Sequence, residues 1–192
     1  MLACRAIALA GTALLATSAL ASAQSGDPGP TPLEFYGFRA GARLGEIDTL
    51  VTRRAGRLRC DRAKADRRVT ECRASLDRPD LGGRTDLWVS AVDSVTSVLT
   101  LSGPADADRL QQWRRTLEQH YGRVEVRSQG QQSMMQWVRR GRMLRLTWRV
   151  DRSRRMASVS LVDGQVLDAW GRSKAAALPA QRGQESSGSN TR

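Results

Sequence analysis

The stretch Ser133-Met134-Met135-Gln136-Trp137-Val138-Arg139-Arg140-Gly141-Arg142-Met143-Leu144-Arg145-Leu146-Thr147-Trp148-Arg149-Val150 reads as two strands around a tight turn. Apolar and polar residues alternate on both sides of Arg140-Gly141, a pair that suits a two-residue hairpin connection. The resulting register sets Trp137 against Leu144 and Met135 against Leu146. One face then carries Met135, Trp137, Leu144, Leu146, Trp148 and Val150. The other carries Gln136, Val138, Met143, Arg145, Thr147 and Arg149. A slip of one residue would bury the arginines, so the register is strongly specified. A third strand over 155–162 continues the apolar face with Ala157, Val159 and Leu161.

Upstream, Leu110, Trp113, Leu117 and Tyr121 recur at helical spacing, after Pro104, Asp106 and Asp108 and before Gly122. Proline and acids favour a helix start, and glycine favours the residue just past its end. An alternating segment, 122–126, follows. The same order occurs earlier: a helix with Leu44, Ile47, Leu50 and Val51 on one face, then Gly56, then strand-like runs at 57–62, 69–76, 86–92 and 95–101. The fold expected is α+β, an antiparallel sheet with helices on one face and the other face wet. It would be built from two duplicated helix-plus-three-or-four-strand units, 33–103 and 104–170.

The chain has 192 residues, 31 Lys plus Arg, 19 Asp plus Glu and one His, for a net charge of +12. Residues 1–23 place Arg5 before an uncharged Ala/Leu run that ends in Ala21-Ser22-Ala23, the pattern of a secretory signal cleaved before Gln24. Its removal would leave 30 basic against 19 acidic residues, or +11. Residues 24–32 are Pro/Gly-rich and expected as a flexible leader, and 171–192 as a disordered tail. Only Lys64 and Lys174 are lysines, so the basic charge is almost all arginine, a skew that a GC-rich genome would also produce. Without Cys4, the remaining pair is Cys60 and Cys72, and a secreted chain is expected to join them in a disulfide. Zinc would need four ligands, with His120 the one imidazole on offer.

The segment Gly41-Ala42-Arg43-Leu44-Gly45-Glu46-Ile47-Asp48-Thr49-Leu50 resembles the opening of domains in the β-lactamase-inhibitor-protein and small outer-membrane-assembly-lipoprotein group. Gly41, Glu46, Ile47 and Leu50 carry the likeness. Arg43 stands where the group has Thr, and Gln24 where its lipoproteins have a lipid-bearing Cys. The resemblance implies tandem helix-plus-sheet units and a binding module whose concave sheet face grips a partner.

No nucleophile elbow, Ser-x-x-Lys, zinc-protease helix or phosphate-binding loop is present, and no cofactor is expected. Asp86, Asp93, Asp151, Asp163 and Asp168 are scattered, and Asp163-Gly164 reads as a turn. His120 reads as a helix-end residue. Trp113, Trp137 and Trp148 fall on apolar faces, and Trp170 follows Val166 and Leu167 at helical spacing, placed to cap the core. Trp88 could face either way. The strongest functional signal is charge: residues 139–155 hold eight arginines and one acid. The function expected is a secreted or periplasmic, non-enzymatic protein that binds an acidic protein or an anionic envelope component. Its candidate contacts are Arg145, Arg149, Gln136, Thr147, Arg139, Arg127 and Trp88. Peripheral contact with lipid headgroups fits the same charge, and nucleic acid does not fit a secreted chain with buried aromatics. The other readings are a hydrolase-type enzyme with a carboxylate pair and a structural envelope protein.

Overall fold

The computed structural model describes residues 32–151 and 154–177. The expected signal peptide, its cleavage site, the leader up to 31 and the tail from 178 lie outside the described residues. Helix α1 (Leu44–Arg53) precedes β1 (Arg59–Arg62), β2 (Val69–Arg78), β3 (Gly83–Val92) and β4 (Val95–Pro104). Helix α2 (Ala107–Tyr121) precedes β5 (Arg127–Gln129), β6 (Gln132–Arg139), β7 (Arg142–Asp151) and β8 (Arg154–Asp163), and α3 (Gly164–Ala177) follows. The eight strands form one antiparallel sheet in the order β1-β2-β3-β4-β8-β7-β6-β5. The class is α+β. The order helix then four strands occurs twice, and the two groups meet where β4 pairs with β8.

The hairpin at Arg140-Gly141 has the register read from its alternation: Trp137 opposes Leu144 and Met135 opposes Leu146. Arg140 and Gly141 both take positive φ, 48° and 74°, as such a two-residue turn requires. Met135, Trp137, Leu144, Leu146, Ala157, Val159 and Leu161 are buried in one core with Leu87, Val89, Leu99 and Leu101 of the first strands. Ile47 and Val51 of α1 and Leu110, Trp113, Leu117 and Tyr121 of α2 complete it. Each large apolar side chain so buried contributes roughly 1.5–3 kcal/mol.

Asp106 caps α2, its carboxylate accepting the Arg109 backbone N–H at 2.8 Å. Pro104 ends β4 rather than opening the helix. Gly122 closes α2 at φ 86°. At the end of α1, Ala55 takes the left-handed conformation expected of Gly56 (φ 56°). Gly56 answers a packing need instead, since a Cβ there would lie 2.5 Å from Leu76 Cδ2.

Several expectations are corrected. Residues 122–126 are not a strand; the outermost strand is the three-residue β5. Val150 is 50 % exposed, because it pairs with Arg155 at the far end of β7, where the described core has ended. Residues 171–177, expected in a disordered tail, form the last turns of α3. Asp163 does not make a simple turn. Its Oδ1 accepts the Gln165 and Val166 backbone N–H groups at 3.0 and 3.2 Å and so caps α3, while Oδ2 accepts from Arg142 Nε at 2.7 Å.

Helix α3 does not join α1 and α2 over the core. Its Val166, Leu167 and Trp170 are half-buried and stand outside that cluster, and its backbone runs against β3, β4 and β7. Val92 sits on the second sheet face by the alternation of β3, yet is buried and also outside the core. Helix α3 therefore covers one end of the second face. Trp170 Nε1 donates to Asp66 Oδ2 at 2.9 Å and Arg68 Nη1 to Ser173 Oγ at 2.7 Å, which fastens α3 to the β1–β2 loop. That hairpin is closed by the Cys60–Cys72 disulfide between directly paired residues.

Candidate functional site

The second sheet face, beyond α3, is a grid of residues set by strand register. One row crosses seven strands: Arg59, Arg73, Trp88, Thr100, Ser160, Arg145 and Gln136, each opposite the next. The neighbouring row is Ser75, Asp86, Ser102, Ser158, Thr147, Met134 and Arg127. A third holds Met156, Arg149 and Gln132. Side-chain size gives this face relief. The central strands β4 and β8 contribute Thr100, Ser102, Ser158 and Ser160, whose short side chains make a floor, with Thr100 Oγ1 and Ser160 Oγ 3.0 Å apart. Larger side chains rise on both flanks: Arg73 and Trp88 over β2 and β3, Arg145 and Arg149 over β7. With strands about 4.8 Å apart, Trp88 and Arg145 stand about 14 Å from each other across that floor.

Of the residues expected to bind, Arg145, Arg149, Gln136, Thr147, Arg127 and Trp88 lie on this face. Arg145 donates from Nε and Nη2 to Gln136 Oε1 at 3.0 and 2.8 Å, which holds its guanidinium along the row and leaves donors free to face outward. Arg149, Gln136 and Arg127 are exposed, and Arg145, Thr147 and Trp88 are partly so. Arg139 does not belong with them. It alternates onto the core side with Trp137, donates from Nη2 to the Tyr121 carbonyl at 3.0 Å and lies over the Tyr121 ring at 5.2 Å. Its place is explained by the end of α2, whose last carbonyls attract a cation.

A pocket of about 550 Å³ opens at the β1–β2–β3 flank. Its lining includes Arg57, Arg59, Arg73, Ser75, Asp86, Trp88 and Ser102. Asp86 accepts a hydrogen bond from Ser75 Oγ at 3.0 Å. Among the described residues, Arg57, Arg59 and Arg73 form no ion pair. These arginines were not among the residues expected to bind, because they are scattered singly along the chain while residues 139–155 hold eight arginines in one run. The available signal was the place of Arg59 beside Cys60 and of Arg73 beside Cys72, since a bridge that sets Cys60 opposite Cys72 also sets Arg59 opposite Arg73. A smaller groove on the same face, lined by Ser102, Thr147, Arg149, Met156 and Ser158, continues toward β7.

Other candidates have structural occupations. His120 Nδ1 lies 2.7 Å from the Thr116 carbonyl, one helical turn back. Trp170, expected to cap the core, is bound to Asp66 instead. The indole of Trp170, with the Arg68 backbone N–H and guanidinium, holds the Asp66 carboxyl down to about 2. Cys60 and Cys72 are consumed by their disulfide, so neither thiolate is available to a metal. Arg109, which no sequence motif singled out, is buried under α2. Its guanidinium donates to the carbonyls of Pro104 and Arg84 and to Thr85 Oγ1, and lies 4.8 Å from the Trp113 ring centroid. Burial pulls its pKa below the usual arginine value, partly offset by Asp106. None of the helices among the described residues is long and apolar enough to cross a membrane.

Comparison with protein-family models, with curated proteins and with solved structures found no match to this chain.

Proposed function

We propose that this chain is a secreted or periplasmic binding module, not an enzyme, that grips an acidic protein on the second face of its sheet. The observation that carries the reading is the single row in which Arg145 and Gln136 stand beside a floor of small hydroxyl side chains, with Arg149, Thr147 and Arg127 in the adjoining rows. Guanidinium groups set on paired strands are held at fixed spacing and offer planar, bidentate donors to carboxylates. The serine and threonine floor adds hydrogen bonds without filling the trough. The disulfide fits a chain that works in an oxidising compartment. The repeated helix-and-four-strand order is what a duplicated unit of the inhibitor-protein kind would give, and in this reading the two halves share one binding face.

Charge reversal tests it. Arg145→Glu with Arg149→Glu should abolish retention of an acidic partner that the unmodified protein holds from an envelope extract, with the far-UV spectrum and melting curve unchanged. Partial retention by the unmodified protein in about 0.5 M salt, where screening shortens to a few Å, marks a shaped interface rather than simple adhesion. Retention by the double variant equal to that of the unmodified protein would refute the proposal.

A further inference from the structure

The pocket at the β1–β2–β3 flank is a separate site on the same face, and its chemistry differs from that around Arg145. Two directly opposed strand positions bring Arg59 and Arg73 together, and the next position in the row is Trp88. Like charges side by side on a sheet repel, and none of the described carboxylates pairs with them. An anionic group bridging the two would relieve that repulsion. Arg57 reaches the same pocket from the segment before β1. The Trp88 side chain lies next to them, partly exposed, as a flat apolar surface. The fourth element is Asp86, one row away, whose second oxygen has no described partner while Oδ1 accepts from Ser75. A pocket built for a bare polyanion would gain nothing from that carboxylate. A ligand that carries both an anionic group and hydroxyl donors uses all four features.

We propose that this pocket binds an anionic sugar, with Arg59 and Arg73 on its carboxylate or sulfate, Trp88 stacked on the C–H face of a ring, and Asp86 accepting from ring hydroxyls. The volume, about 550 Å³, suits two or three sugar units. The site does not depend on the acidic-protein reading. Loss of protein retention with sugar binding intact, or the reverse, separates the two.

Calorimetric titration of the full mature chain with trigalacturonic acid, with a heparin-derived tetrasaccharide, with maltotriose and with ATP tests the proposal. Trigalacturonate binding shows that a carboxylate suffices as the recognised anion, and tetrasaccharide binding without trigalacturonate binding identifies a sulfate; either supports the site. Maltotriose should bind at least about tenfold more weakly than the better anionic sugar, because it leaves the arginines unpaired. Trp88→Ala should weaken the anionic sugar about tenfold, and Arg73→Gln, at an exposed position that leaves the core untouched, by a similar factor. Asp86→Asn should weaken the sugar about threefold but tighten ATP, since it removes a negative charge facing phosphates. Three results would overturn the site: no binding of either anionic sugar, binding that Arg73→Gln leaves unchanged, or ATP bound more tightly than both sugars by the unmodified protein.

Discussion

Arg109 offers the strictest test of how the core face is closed. Its guanidinium donates to three acceptors, the carbonyls of Pro104 and Arg84 and the Thr85 hydroxyl, and it rests on the Trp113 ring. A hydrogen bond from a charged donor is worth about 1.5 kcal/mol or more, and the ring contact about 1 kcal/mol. Against that stands the cost of having buried the cation, which Arg109→Ala recovers. The acceptors left behind are themselves penalised when unpaired, by about 1–3 kcal/mol each. Weighing these, Arg109→Ala should cost about 3 kcal/mol. Arg109→Lys, with one nitrogen for three acceptors, should cost about 2 kcal/mol. Urea unfolding followed by tryptophan emission measures both, and an unchanged slope would show that the same surface unfolds. For a domain of this size the alanine change should lower the melting temperature by about 6–12 °C. A loss under about 1 kcal/mol for alanine, or a lysine variant as stable as the parent, would mean that Arg109 does not tie α2 to β3 and β4.

Three further outcomes follow from the same geometry. Leu146→Ala should destabilise by about 2–5 kcal/mol, whereas Arg145→Ala, one residue away on the opposite face, should change stability by less than about 0.5 kcal/mol; equal costs in chemical denaturation would contradict the assigned faces. Replacing Cys60 and Cys72 together by Ala should cost about 3 kcal/mol through the reopened loop, read from the shift in the unfolding midpoint. Asp66 has its carboxyl lowered from 3.8 to about 2, so its hold on Trp170 is fully present above pH 4 and fades as pH falls through about 2. Amide exchange in α3 should therefore quicken between pH 4 and 2 relative to the core strands, and Asp66→Asn should remove that pH dependence; an α3 equally protected across this range would break the link.

How much of this was legible in the sequence depended on how local the signal was. The β6–β7 hairpin was readable because alternation and turn chemistry act within a few residues and agree with each other. The disulfide was readable from the expected secretion signal and from a pair of cysteines with no rival. Helix α3 was not, because its few apolar residues, Val166, Leu167 and Trp170, look like the end of a domain until Asp66 and the second sheet face are seen beside them. Arg109 was hidden for a related reason: an arginine on an amphipathic helix reads as solvated, and only the three acceptors converging from β3 and β4 make its burial favourable. Arg139 illustrates the limit of counting charge. It belongs to the arginine-rich run, but one step of alternation turns it toward Tyr121 and away from the open face. The β1–β2–β3 pocket needed the order β1-β2-β3-β4-β8, which sets two distant arginine groups on one surface.

Photocrosslinking from single positions tests whether the partner sits on the hydroxyl-floored face beside Arg145 and Arg149. A benzophenone amino acid placed at Thr147, on that face, or at Gln112, on the exposed side of α2, reports which surface meets the acidic partner. A partner on that face gives a crosslinked product from position 147 and none from position 112. A product from position 112 alone, or equal yields from both, would contradict that placement.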